Sequence, residues 1–156
     1  MAPVGLVHTN ASKAEVREKR EGIVSEIEIF SRFEEALDGI EGFSHIFVVT
    51  WFNQLTKEQI GPLKVKPRRL LRYGLTLEEL PLLGVFSLDS PTRPNPIGLS
   101  LVPLLRREGR RLVVSELDCF DLTPVLDLKP YHSSYRTESY GVPDWHARLS
   151  ERAGHV

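Results

Sequence analysis

The chain has one cysteine and one methionine in 156 residues. A lone Cys119 excludes an internal disulfide, and with no CxxC pair and no metal-like spacing around His8, His45 or His132, no metal site is expected. Cys119 reads as a small buried apolar residue. No apolar run approaches the ~20 residues of a membrane-spanning helix. The opening Met1-Ala2-Pro3-Val4 has no basic stretch leading into an apolar core, so a cytoplasmic location is expected. Charge of either sign is not in excess: 20 Lys and Arg stand against 21 Asp and Glu, a net charge of −1. That balance argues against wholesale coating of nucleic acid and leaves room for a local basic patch. Also missing are GxGxxG after a strand, GxxxxGK[ST], HExxH and GxSxG, so the common nucleotide, protease and esterase templates do not apply.

Proline and glycine are plentiful, 11 of each, and they punctuate short apolar runs. Val4–His8 reads as a first strand. Ile23–Phe30 alternates Ile27 and Ile29 against Glu26 and Glu28, the pattern of a half-buried strand. His45–Phe52 is nearly continuous in apolar and β-branched residues and is expected to be the most buried strand. Gly84–Leu88 and Leu99–Leu105 read as further strands. Arg106–Arg111 reads as a polar tip joining Leu99–Leu105 to Leu112–Leu117 in a hairpin. Helix is expected only at Phe33–Leu37, ended by Gly39, and at Pro143–Ala153, ended by Gly154. Ala14–Glu21 is charged without an apolar stripe and is expected to be a loop. Trp51 is expected in the core. The pattern predicts one domain over residues 1–156, mainly β (β-rich α+β), compact and barrel-like, with an antiparallel or mixed sheet and a peripheral tail from about residue 132. Strands do not alternate with long amphipathic helices, which excludes a Rossmann sheet.

Two proline-rich stretches invite a functional reading. In Ser90-Pro91-Thr92-Arg93-Pro94-Asn95-Pro96-Ile97-Gly98-Leu99-Ser100 each proline fixes φ and donates no amide hydrogen, and it also holds the preceding residue extended. The result is a stiff arch displaying one cation, Arg93, and one amide, Asn95. It serves either as a rigid crossover, with Asn95 tying the arch to itself, or as a ligand-holding loop. In Asp121-Leu122-Thr123-Pro124-Val125-Leu126-Asp127-Leu128-Lys129-Pro130-Tyr131 two prolines predict irregular backbone, and Asp127 and Lys129 fall on one side of an extended segment. A salt link between those two is the structural reading.

Together with Ile27-Glu28-Ile29-Phe30 and Glu41-Gly42-Phe43-Ser44-His45-Ile46, the segments RPNPIGLS and TPVLDLKPY resemble the TsaA-like, or YaeB-like, family. That family includes tRNA adenine-N6 methyltransferases using S-adenosyl-L-methionine. The resemblance implies a β-barrel outside the Rossmann methyltransferases and a homodimer. It implies that Asn53, Gln54, Asp89, Leu99, Leu122, Thr123, Pro124 and Val125 hold S-adenosyl-L-methionine. The implied substrate is the exocyclic N6 amine of a threonylcarbamoyl-modified adenosine next to the tRNA anticodon. Arg93, Asn95, Lys129 and Tyr131 would bind it, with Asp127, Arg93 and Lys129 in catalytic roles. The basic segments Lys64–Arg72 and Arg106–Arg111 would meet the tRNA backbone. This chain departs from the family pattern at Asn53, Asp89 and Leu122, where histidine, arginine and glycine are usual. Alternatives are a methyltransferase acting on another RNA or a small molecule, and a non-catalytic S-adenosylmethionine- or RNA-binding module.

Overall fold

The computed structural model describes residues 2–18 and 22–154. The strands in chain order are β1 (Gly5–His8), β2 (Val24–Ile29), β3 (His45–Trp51), β4 (Lys64–Val65), β5 (Leu83–Gly84), β6 (Ile97–Glu108), β7 (Arg111–Ser115) and β8 (Pro124–Pro130). The chain divides into two compact units, Met1–Leu55 with Pro96–Tyr135, and Thr56–Asn95 with Arg136–Val156. The proline arch is one of the places where the chain passes between them.

The first unit is a closed antiparallel barrel in the order β1-β2-β7-β6-β3-β8. Its interior is filled by Val7, Ile27, Ile46, Val48, Val102, Leu112, Val114 and Val125, so the barrel is a packed core rather than a channel. The mainly β, barrel-like expectation holds. Three local expectations do not. Strand β3 is not continuously buried: Ile46, Val48 and Thr50 point inward while His45, Phe47, Val49 and Trp51 face out. Its apolar outer residues cover a second surface, so a run of hydrophobic side chains reads falsely as a fully buried strand. From Pro124 to Pro130 the Asp121–Tyr131 segment is strand, interrupted by one extra residue, Leu126. Its prolines sit at the first and last residues of β8, where a missing amide hydrogen is tolerated. The segment expected as a loop at Ala14–Glu21 instead carries helix α1 (Lys13–Glu18), with Val16 buried. The overlooked signal is a capping box: Glu15 N donates to Ser12 Oγ (3.2 Å) and Ser12 N to Glu15 Oε2 (2.7 Å). Hydrogen bonds from the Ser12 hydroxyl and then the Ser12 amide hold the Glu15 carboxyl below the ordinary value. Residues 19–21 of that expectation lie outside the described residues.

The expected helix at Phe33–Leu37 is a 3-10 segment, Ser31–Leu37, followed by Gly39 at φ +84°. The β6–β7 hairpin forms as expected, turning at Gly109 (φ +59°).

The second unit pairs β4 with β5 over two residues each. Gly84–Leu88 is therefore not one strand: the chain leaves β5 into a 3-10 turn, Val85–Ser87, in which Leu88 N donates to Val85 O. Helix α2 spans Lys57–Ile60 and α3 spans Asp144–Arg152. Leu149 of α3 packs with Leu75 and Leu80, flanked by Leu70, Tyr73 and Trp145. The tail after residue 132 thus supplies part of this unit's core. Glu79 anchors α3: Oε1 lies 2.6 Å from Arg152 Nη2, and Oε2 accepts from Thr76 N (2.7 Å) and Thr76 Oγ1 (3.0 Å). The Thr76 amide first, then Arg152 and the Thr76 hydroxyl, lower the Glu79 carboxyl to about 2.

Two predictions follow from these contacts. A Cβ at Gly98, opposite Thr50 in the ladder, would lie 2.5 Å from both Thr50 Oγ1 and Phe52 Cζ. Gly98→Ala is expected to destabilise the protein by about 1–3 kcal/mol, read from urea unfolding. Glu79→Gln is expected to lower the melting temperature at neutral pH. Because folding depresses this carboxyl, its stabilisation is complete above the ordinary value of 4.5 and is lost as pH falls through about 2. Wild-type and variant melting curves should converge in acid.

Candidate functional site

The residues Asp121–Val125 form a turn at one end of the barrel, between the end of β1 and the start of β8. Leu122 N donates to Val7 O (2.8 Å), and Val7 N donates to Thr123 O (2.9 Å). Thr123 closes the turn through its amide and its hydroxyl, both donating to Phe120 O (3.2 and 2.7 Å). Leu122 stands at φ +61°, the left-handed region where a side chain crowds the following carbonyl. Glycine, usual at this place in the resembling family, adopts that geometry without cost. This chain carries leucine there, which leaves an apolar side chain 52% exposed.

Gln54 ties the segment after β3 to this turn, donating through Nε2 to Asp121 O (3.1 Å). Asp121 Oδ1 also accepts from Thr9 N (3.0 Å) and lies 3.9 Å from His8 Nδ1. His8 Nε2 is 3.0 Å from Glu28 Oε2, and Glu28 Oε1 is 2.6 Å from Arg110 Nη2. The structure thus brings together Asn53, Gln54, Leu122, Thr123, Pro124 and Val125. Asn53 is exposed and its side-chain amide has no partner among the described residues, so an amide stands open beside the turn.

A cleft of about 230 Å³ adjoins this cluster, lined by Pro3, Trp51, Pro124 and Leu126. Trp51 is 38% exposed, which corrects the expectation that it lies in the core. The alternation of β3 puts it on the outer face with Phe47 and Val49. Opposite it the β8 register slips: Val49 pairs with Asp127 and Thr50 with Val125, leaving Leu126 as the extra residue. The slip turns Asp127 and Lys129 outward while Val125 and Leu128 pack against the core.

Asp127 and Lys129 form the expected salt link, at 3.4 Å. They stand about 13 and 20 Å along the strand from Thr123, at ~3.3 Å per residue, so they do not join the turn. They flank a second cavity, about 370 Å³, lined among others by Phe33, Leu37, Ile40, Phe43 and Leu128. Leu99 shares a level with Val49 and Asp127 on neighbouring strands and is 68% exposed.

Asp89, Arg93 and Asn95 belong to the second unit. Arg93 is half-buried rather than displayed: its Nη2 donates to Val85 O (3.2 Å) and Leu88 O (3.4 Å), tying the arch to the preceding turn. Asn95 is exposed and makes no side-chain bond among the described residues, so it does not tie the arch to itself. Thr92 N to Ser90 Oγ (3.2 Å) does so instead.

The hairpin arginines, expected to be available to a polyanion, are engaged. Arg106 pairs with Glu108 (2.5 Å), Arg107 with Glu41 (2.9 Å), Arg110 with Glu28 (2.6 Å) and Arg111 with Glu26 (3.4 Å). Cys119 is buried as expected. Burial pushes its thiol up to about 12, and its Sγ lies 3.7 Å from Thr50 Oγ1.

This fold has solved counterparts. A crystal structure described as TrmO superposes with a TM-score of 0.65 at 30% identity, covering 92% of this chain and 61% of that one. Among curated proteins, a probable S-adenosyl-L-methionine-binding protein of Archaeoglobus fulgidus is 39% identical over 134 residues. A tRNA (adenine(37)-N6)-methyltransferase of Mus musculus is 38% identical over 126 residues. These alignments cover 84% and 80% of this chain but only 33% and 27% of those relatives. The barrel is therefore that of the TrmO structures. The tRNA-methyltransferase O N-terminal domain family matches residues 11–136, and the chain belongs to it.

Leu122→Gly is expected to stabilise the protein by about 0.5–1 kcal/mol. Relief of left-handed strain outweighs the added freedom of the unfolded chain, and a half-exposed leucine loses little burial. Urea unfolding reads the sign.

Proposed function

We propose that the protein is an S-adenosyl-L-methionine-dependent methyltransferase acting on the N6 amine of a threonylcarbamoyl-modified adenosine next to the tRNA anticodon. The observation that carries this reading is the apolar cleft of Trp51, Pro124 and Leu126 beside the Leu122–Val125 turn. A nucleoside cofactor needs a flat apolar slot for its base and polar groups at the slot's edge. The indole and Pro124 offer the first, and the Asn53 amide the second, so the residues present fit the group. At about 230 Å³ the cleft is below the ~300–1,000 Å³ of complete ligand sites, and it accommodates the base rather than the whole cofactor.

When bound, the cofactor supplies an already activated methyl group. The protein's task is then alignment and proton management rather than creation of a nucleophile. Asn53, Gln54 and the Leu122–Val125 turn hold the cofactor, with Leu99 on the outer face. Asp127, held by Lys129 and by Leu128 N (2.9 Å), accepts the proton that the amine must lose. Lys129 offers its ammonium to the threonylcarbamoyl carboxylate or a phosphate. Asp89, Arg93 and Asn95 carry the remaining roles that the resemblance assigns, on the second unit. Asp89 is an acceptor where the family has a five-donor fork, which suits a ribose hydroxyl or the cofactor's ammonium. The homodimer and the cytoplasmic location belong to the same proposal.

A second reading, methyl transfer to another RNA or to a small molecule, is favoured by one observation. The Arg107 and Arg110 guanidiniums are held within the chain by pairs with one largely buried partner, so the hairpin offers a polyanion less than its four arginines suggest.

The test combines calorimetry with S-adenosyl-L-methionine and transfer of labelled methyl to bulk tRNA and, separately, to a metabolite extract. Labelled tRNA carrying N6-methylated modified adenosine is the expected product. Label in metabolites alone would select the second reading, and no cofactor binding would sink both. Trp51→Ala is expected to weaken cofactor binding roughly tenfold or more, the worth of stacking a base on an aromatic ring. Asp127→Asn should lower kcat while leaving that affinity unchanged.

A further inference from the structure

The outer face of the barrel carries an aromatic group that neither the core nor the cofactor cluster uses. Phe47 of β3 meets Tyr131 edge-on (centroids 5.8 Å, 67°) and Tyr135 likewise (4.9 Å, 70°). The Tyr131 and Tyr135 rings lie nearly parallel, 22° apart at 6.2 Å, and His132 leans on Tyr135 at 4.9 Å. His45 closes the group against Tyr131 at 6.3 Å. Although Tyr135 touches three rings, 49% of it remains open to solvent. Ser134 Oγ lies 2.9 Å from His132 Nδ1 and fixes that ring, and His132 is exposed. Lys129 stands opposite Phe47 in the ladder. Its link to Asp127 is exposed on both sides, and such a pair is too weak to keep a phosphate from competing for the ammonium.

We infer that Tyr135 and His132 form a stacking platform for an unpaired base of a single-stranded RNA loop, with Lys129 contacting the adjoining phosphate. Unstacked bases in RNA loops are bound in this way, on tyrosine and histidine faces beside a cation. The composition favours a base over a second copy of the chain: four of the five rings carry a polar edge, whereas the centre of a protein–protein interface is more apolar. The platform stands roughly 20 Å or more along β8 from Thr123, at ~3.3 Å per residue. Asp127, which accepts the amine's proton, lies about 13 Å along the chain from Tyr131 at ~3.3 Å per residue. A base stacked on Tyr135 is therefore not the one that is methylated, and the platform takes a flanking nucleotide. The inference rests on the proposed RNA substrate and adds to it a second contact point, whose stacking residues Tyr135 and His132 lie outside TPVLDLKPY.

The experiment measures binding of a fluorescein-labelled tRNA anticodon stem-loop to wild type, Tyr135→Ala, Tyr135→Phe and His132→Ala. Cofactor calorimetry, thermal unfolding and sedimentation are run on each. Tyr135→Ala should weaken RNA binding by about 5- to 100-fold, and Tyr135→Phe should stay within about twofold. Cofactor affinity and mass should be unchanged. If Tyr135→Ala does not fold, His132→Ala, in an exposed turn, must show a loss of the same kind. Wild-type RNA affinity in these alanine variants, while wild type still methylates tRNA, overturns the platform alone. Failure of wild type to bind RNA at all overturns the substrate reading and the platform together. A fall in mass accompanying the loss of RNA binding makes a second copy the occupant and overturns the inference.

Discussion

Everything in the first unit depends on the double pairing of β8. It lies between β1 and β3, so the hydrogen bonds that close the barrel are the same bonds that place Leu122 to Tyr131. A sheet with two free edges would leave β8 able to slip, and a one-residue slip would turn Asp127 and Lys129 inward. Closure removes that freedom. The single permitted irregularity, the extra residue Leu126, is fixed on one side by the Thr50–Val125 pairing and on the other by Val49–Asp127. It is also the residue that faces Trp51 across the cleft. The feature that interrupts regular pairing therefore makes room beside the turn.

Much of this was legible from residue patterns, and the misreadings have identifiable causes. Alternation in VSEIEI located β2, and Gly109 the hairpin turn, because each rests on local geometry. Alternation failed in HIFVVTW because both faces of β3 are apolar: one fills the barrel and the other bears Phe47 and Trp51. No pattern of hydrophobicity separates those cases, and Trp51 was accordingly placed in the core. The prolines of TPVLDLKP suggested irregular backbone, since local sequence does not reveal that they sit at the two ends of a strand. Helix α1 was missed for want of an apolar stripe. The Ser12-x-x-Glu15 box that starts it was present to be read. The TsaA-like resemblance, by contrast, rested on long ordered motifs, and family membership upheld it.

Charge behaves similarly. Four arginines within six residues at a hairpin tip look like a polyanion site, but register decides their fate. Strand β7 lies beside β2, where Glu26 and Glu28 project, and Arg110 and Arg111 reach them. Arg107 reaches back to Leu37 O (3.0 Å) and Glu41. The alternating glutamates that marked β2 as half-buried thus have a second consequence that appears only once strands are paired. Basic residues in a nearly neutral chain are spent first on neighbouring acids. Lys129 is paired to a single exposed carboxylate, as Arg106 and Arg111 are, and it differs from them in having aromatic rings for neighbours.

Leu122 joins the family pattern to the physics of this chain. A leucine held at φ +61° carries a strain that glycine avoids, yet the turn keeps its form because the Val7, Phe120 and Gln54 hydrogen bonds over-determine it. Where glycine exposes bare backbone, leucine adds an apolar side chain half open to solvent, beside the Trp51 cleft and the Asn53 amide. Asn53 likewise replaces an imidazole with an uncharged amide that does not titrate. The cluster offers little to a phosphate: Leu122 and Asn53 add no cation, and Asp121 in the same turn carries a carboxylate. Lys129, farther along the same strand, is the cation of the proposed RNA contact.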